Sequence, residues 1–203
     1  MEAPNPVNNP RNGPRAAVGV LIRPGETFAR LVADPRPGLA VGSGLVLGMI
    51  WAGFMGWLAA DGHRPTMDRG LPVSAERYYA IAAIYMIPLC IGLTLLTAGV
   101  AHRVARLLGG AGGWPATLAT VGPAYALPLL ALYLVPDVAV YAVAGHAGLA
   151  YVLRFGLPLA VLLVALRTVG ALRAAHGLSR GRAWAAALTA GVAQAIPFAL
   201  LVR

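Results

Sequence analysis

Five stretches of the chain, residues 39–60, 78–101, 116–135, 155–172 and 183–202, carry almost no charge, and each is near the length a helix needs to cross a bilayer. A hydrocarbon core about 30 Å thick is spanned by roughly 20 apolar residues at about 1.5 Å of rise per residue. Backbone groups in lipid must be satisfied within the segment, so such runs read as helices. Composition agrees. Of 203 residues 59% are hydrophobic and only 11% charged, more apolar surface than one soluble core of that size hides. The fold class is therefore all-α: a polytopic integral membrane bundle of five transmembrane helices over residues 39–203, preceded by an N-terminal amphipathic interfacial helix.

That helix is read from the residues before the first run. Residues 1–14 hold Pro4, Pro6, Pro10, Pro14, Asn5, Asn8 and Asn9, turn chemistry with little to bury, and read as a disordered tail. In residues 15–38, Val18, Leu21, Ile22, Phe28, Leu31 and Val32 alternate with Arg15, Arg23 and Arg30. Pro24 opens a helical turn, and Glu26 stands four residues before Arg30 in the favourable order. The segment predicts a cytoplasmic helix lying on the headgroups or fixing the first span, ended by residues 34–37. The first 38 residues are polar and the first apolar run is long for a cleaved leader, so the N-terminus is expected to persist.

The net charge of +9 rests on arginine alone, and short cytoplasmic loops collect the excess of positive residues. With five spans, Arg11, Arg15, Arg23, Arg30, Arg36, Arg103, Arg106, Arg167, Arg173, Arg180 and Arg182 fall on one side; Arg64, Arg69, Arg77, Arg154 and Arg203 fall on the other. Eleven against five predicts the N-terminus inside and the C-terminus outside. Against this stand the three arginines of residues 61–77, which share their loop with Asp61, Asp68 and Glu76.

The fourth run is the weak one. Arg154 and Arg167 enclose twelve residues, about 18 Å of helix, and are read as snorkelling to the two interfaces. The other reading makes one of them an intramembrane polar site. Residues 138–153 are also apolar, but Gly145, His146 and Gly148 assign them to a short outer-face helix, with a sixth span as the alternative. Gly44 and Gly48 form a G-x-x-x-G pair that serves either packing within the bundle or a homo-oligomer. Pro88, Pro123, Pro128, Pro158 and Pro197 kink the later spans. No acid is expected at bilayer depth, which disfavours a proton or cation path.

Chemical machinery is not evident. His63, His102, His146 and His176 have no metal-ligand spacing, and Cys90 has no partner. There is no phosphate-binding glycine loop followed by lysine and no G-x-S-x-G elbow. No catalytic, cofactor or metal residue is assigned, and the chain reads as a non-enzyme. The densest signals are two loops. After the second run come His102, Arg103, Arg106, Gly109, Gly110, Gly112, Gly113, Trp114 and Pro115; before the fifth come Arg173, His176, Gly177, Leu178, Ser179, Arg180 and Arg182. Basic helix ends suit the dipole and anionic headgroups, glycines turn the chain, and tryptophan sits well at an interface.

These residues resemble the Yip domain family, polytopic membrane proteins named for interaction with Ypt and Rab GTPases. Leu21, Ile22, Arg23, Pro24, Gly25, Glu26, Thr27 and Phe28 look like the family's segment ahead of its first span. Residues 101–114 are similar to the histidine, arginine, leucine, glycine and aromatic pattern of bacterial members, and His176, Gly177, Leu178 and Ser179 to the patch before the last span. The resemblance implies a bacterial-type, five-helix domain in the cytoplasmic (inner) membrane with a cytoplasmic N-terminus and no enzyme activity. The long N-terminal region of eukaryotic members is reduced here to about 38 residues.

The function expected is a scaffold or accessory subunit that binds a protein partner or anionic lipid through Arg23, Arg30, Arg103, Arg106, Arg173, Arg180 and Arg182. Its partners would be membrane lipid and other membrane proteins, not nucleic acid. The alternative is a permease-like or lipid-handling protein with a cavity between kinked helices.

Overall fold

The computed structural model describes residues 12–65 and 74–201, and all regular structure among them is helical. Two short helices, α1 (Asn12–Ile22) and α2 (Pro24–Ala33), precede the long α3 (Pro37–Ala60) and α4 (Tyr78–Leu107). A rod then runs through α5 (Trp114–Leu129), a wide π turn (Leu130–Leu134) and α6 (Val135–Ala144). The next comprises a 3₁₀ turn (His146–Gly148), α7 (Leu149–Tyr151), a second π turn (Val152–Gly156) and α8 (Leu157–His176). The last helix is α9 (Arg180–Leu201).

Four of these units are long and apolar enough to cross a membrane: Pro37–Ala60, Tyr78–Leu107, Trp114–Ala144 and His146–His176. The fifth expected span, residues 183–202, corresponds to α9, which packs against α4 and α8. Apolar side chains such as Met49, Ile50, Ile84, Leu95, Val161 and Leu162 point outward, a belt that lipid covers and water would not tolerate.

Lipid tails are as apolar as leucine, so helices in a bilayer associate by close packing of small residues. α3 does this on two sides. A Cβ on Gly48 would stand 2.8 Å from Ile87 Cα, and one on Gly44 would stand 2.8 Å from Thr94 Oγ1 and 3.3 Å from the Cys90 carbonyl of α4. From α5, a Cβ on Gly122 would meet the Ala40 Cβ at 2.3 Å. The G-x-x-x-G pair is thus used within the chain. α9 meets α4 through alanines, with Ala98, Ala101 and Ala105 in one buried cluster with Ala183, Ala186, Ala187 and Ala190. The other cluster is aromatic, with Trp51, Phe54, Tyr79, Tyr125, Tyr133 and Tyr141.

The second half departs from expectation in its lengths. The segment 138–153 is not an independent outer-face helix: Gly145, at φ 67° and ψ −167°, divides it between two rods of 31 residues each. The fourth span therefore begins at His146, well before residue 155, and each rod is about 46 Å long. Each π turn ends two residues before a proline, Pro136 in one rod and Pro158 in the other. A proline inside a helix removes a donor and crowds the carbonyl four residues back, and a widened turn relieves both. At the N-terminus, Asn12, Gly13 and Pro14 belong to α1, not to a tail, while residues 1–11 lie outside the described residues.

Replacing Gly48 with leucine drives a side chain into the α4 backbone. Overpacking of this kind costs about 1–3 kcal/mol. Gly48→Leu is expected to lower the thermal midpoint in detergent, followed by far-UV circular dichroism, whereas Gly53→Leu, with open space around it, leaves the midpoint in place.

Candidate functional site

The two glycine-bearing loops and the α1–α2 pair meet at one end of the bundle. α4 ends at Leu107; Gly109, at φ 88°, turns the chain, and Trp114 with Pro115 restarts it as α5. Opposite, α8 ends at His176, followed by Gly177 in the left-handed region, whose N–H returns to the Arg173 carbonyl. The loops are joined. Gly112 N–H donates to His176 Nδ1 at 3.2 Å, and Ala111 N–H donates to the His176 carbonyl at 3.3 Å. Glycine is required where they touch: a Cβ on Gly112 would lie 2.1 Å from the Ala175 carbonyl oxygen, and one on Gly110 would lie 2.8 Å from the His176 ring.

Thr117 is the hub beneath this contact. Its Oγ1 lies 2.8 Å from His176 Nε2, 2.9 Å from His102 Nδ1 and 3.0 Å from the Gly113 carbonyl. One proton assignment satisfies all four contacts. His176 Nδ1 accepts from Gly112, so the ring is neutral and donates through Nε2–H; His102 donates through Nδ1–H; the threonine hydroxyl accepts both and donates to Gly113. The His102 ring also stands edge-on to Trp114 at 5.6 Å between centroids. Both ring nitrogens of His176 and Nδ1 of His102 are engaged in these contacts, and no grouping of three or more metal-capable side chains occurs among the described residues. The arrangement is a structural latch.

Around the latch the expected arginines divide. Arg103, Arg106, Arg173, Arg180 and Arg182 are all exposed, and among the described residues none of them forms a salt bridge. Arg23 is exposed between α1 and α2, while Arg30 pairs with Glu26 at 3.2 Å on the surface. Arg182 reaches the other loop: its Nη1 stands 3.7 Å from where a Gly109 Cβ would be.

The span that carries Arg154 and Arg167 is not short, because its rod continues eight residues before one and nine beyond the other. Arg154 is exposed, its guanidinium 5.8 Å from the Phe155 ring centroid. Arg167 is half-buried and donates from Nη2 to the Leu21 carbonyl at 2.6 Å, tying α8 to the end of α1. Nearby, the Phe28 ring of α2 passes 3.4 Å from the Cβ position of Gly170, and Val20, Thr27 and Leu31 are buried in the same seam.

The opposite end holds residues that pattern-reading passed over. Asp137 is only 3% exposed inside the third rod, a buried acid two residues beyond the apolar run that ends at residue 135. It borders a void of about 20 Å³ shared with Trp51, Phe54, Tyr79, Tyr133 and Leu149, room for a single water. Its sequence signal was slight, one acid directly after Pro136 at the edge of an apolar run. Beyond it, Tyr141 donates to the Asp61 carboxylate, Trp57 stands edge-on to Tyr141 at 4.9 Å, and the His63 and His146 rings stack at 4.5 Å. On the adjoining loop the Glu76 carboxyl is held below the usual range by a hydrogen bond from its own backbone, helped by Arg64 at 3.3 Å. Asp68 and Arg69 lie outside the described residues.

The sequence model of the Yip1 domain matches residues 18–202, nearly the whole chain. The chain belongs to the Yip1-domain family. It is accordingly an integral, multi-pass membrane protein, with at least the four apolar rods described above. The three patches that carried the resemblance converge in this Yip1 domain on a single end: the α1–α2 pair on α5 and α8, the 108–113 loop on His176. No curated protein and no solved structure matches the chain.

Removing the Thr117 hydroxyl while keeping its shape leaves two imidazoles and a carbonyl without their shared partner, at about 1–3 kcal/mol for a buried group left unsatisfied. Thr117→Val is expected to lower the thermal midpoint clearly in detergent. Thr189→Val is the control, since that hydroxyl is exposed and returns only to Ala185 of its own helix.

Proposed function

We propose that this Yip1-domain protein is a non-catalytic membrane scaffold or accessory subunit whose basic cytoplasmic face binds a protein partner or anionic lipid. The face comprises the α1–α2 pair of residues 15–38, the 108–113 loop and the start of α9, with Arg23, Arg30, Arg103, Arg106, Arg173, Arg180 and Arg182 displayed on it. With α9 as the fifth span the termini lie on opposite sides, and the eleven-to-five arginine excess puts the N-terminus in the cytoplasm, the C-terminus lying across what is, on the family's bacterial pattern, the inner membrane.

One observation carries the reading. From residue 77 to the end of the chain the sole acid is Asp137, buried toward the opposite end, so the arginines of both loops have no acidic neighbour of their own. Unpaired guanidinium groups beside an anionic leaflet each contribute about 1 kcal/mol of attraction. The latch supports the docking part of this view, since it joins the two loops that carry the arginines. The alternative reading, a permease-like or lipid-handling protein with a cavity between kinked helices, draws nothing from the space beside Asp137, which takes one water.

The test is co-purification in mild detergent. Replacing Arg23, Arg30, Arg173 and Arg180 with glutamine is expected to leave membrane insertion intact and to reduce the co-purifying protein at least about tenfold. Unchanged co-purification would sink the partner-binding reading.

A further inference from the structure

One side of α4 changes chemistry along its length. Leu96, Gly99 and Val100 follow at helical spacing within the membrane-spanning part, and Arg103 and Arg106 follow on the same side at its end. With Trp114 of α5 across from them, these residues line an open groove of about 1020 Å³. Its floor is unfilled at Gly99, where a Cβ would meet nothing within 4 Å. Its mouth has Arg103 and Arg106 exposed, and the guanidinium of Arg182 reaches toward the same turn at Gly109.

We infer that this groove binds an anionic diacyl phospholipid, with one acyl chain along Leu96, Gly99 and Val100 and the phosphate between Arg103 and Arg106. The inference rests on the basic-face reading above and gives one part of that face its ligand. Three observations select the occupant. The order of chemistry, apolar at depth and cationic at the end, is that of a lipid standing in its leaflet. The cations have no acidic neighbour in either loop, so a negative group is the complement they lack. The lower half of the groove lies within the span of α4, where a soluble peptide does not reach and lipid is everywhere present. The half-exposed Trp114 indole closes the side at the level where such rings settle among headgroups.

Native mass spectrometry of the full chain in mild detergent tests this, with dioleoylphosphatidylglycerol and dioleoylphosphatidylcholine as probes at equal concentration. The wild type is expected to retain the anionic lipid preferentially, and millimolar inorganic phosphate is expected not to displace it. Arg103→Gln with Arg106→Gln should lower its retention by about tenfold or more. Gly99→Leu fills the floor, leaves both arginines in place, and should lower retention severalfold. Equal retention of the two lipids by the wild type, unchanged retention in either variant, or displacement by phosphate alone overturns the inference. The Arg23, Arg30, Arg173 and Arg180 variant, scored on protein co-purification, separates the two readings. Loss of the protein with the lipid site intact supports the basic face, and an intact protein complex with lipid lost in the groove variants supports the lipid site alone.

Discussion

Close contact between helix backbones is the constraint on which the rest of the bundle depends. In a bilayer, burying leucine against leucine gains little over burying it against lipid, so stability must come from surfaces that approach within van der Waals distance over long stretches. α3 supplies the central one. Gly44 and Gly48 let it lie against α4, while Ala40 receives Gly122 of α5 on its other side. With three helices locked at that spacing, α9 can add itself along an alanine seam of α4, and α8 can close the bundle against α5.

Among the described residues, the side-chain hydrogen bonds that join one helix to another element gather at the two ends. At the basic end they serve alignment: the His102, Thr117 and His176 network fixes the α4–α5 loop against the end of α8, and Arg167 fixes α1 against the middle of the same helix. Both ties use groups that would be costly if left alone in an apolar setting. The result is a rigid basic platform built from segments distant in sequence, which is the property a docking face requires. The charge of its two loops is uncompensated by acids of their own, since those loops contain none, whereas on the α1–α2 pair Arg30 is matched by Glu26.

Much of this could be read from the residues. The apolar runs identified α3, α4 and the cores of the two later rods, because length and absence of charge are direct readouts of bilayer thickness. The arginine-rich loops and Pro24 announced where helices begin and end. What failed depended on distance through space. Thr117 carried no signal as a hub, since it meets partners 15 and 59 residues away. The tie of Arg167 to α1 carried no signal either, since the Leu21 carbonyl it binds lies 146 residues away. Asp137 fell two residues beyond the apolar run that ends at residue 135, whereas the wide turn before it let the helix continue.

Those wide turns have a consequence for how the two long rods present their side chains. A π turn accommodates one residue more than the α-helix would, and one residue corresponds to about 100° around the axis. Beyond Leu134 the third rod is therefore a separately phased helix, and its inward stripe, Asp137 and Tyr141, is set independently of the stripe on α5. The fourth rod changes phase as well, at Val152–Gly156, where the Gly156 Cβ position faces the Leu132 carbonyl at 3.1 Å. The bundle thus has a seam of paired phase changes across it, with the basic platform on one side and the aromatic, acid-bearing end on the other. The same two rods can satisfy two differently shaped neighbourhoods that no uninterrupted helix would fit at once.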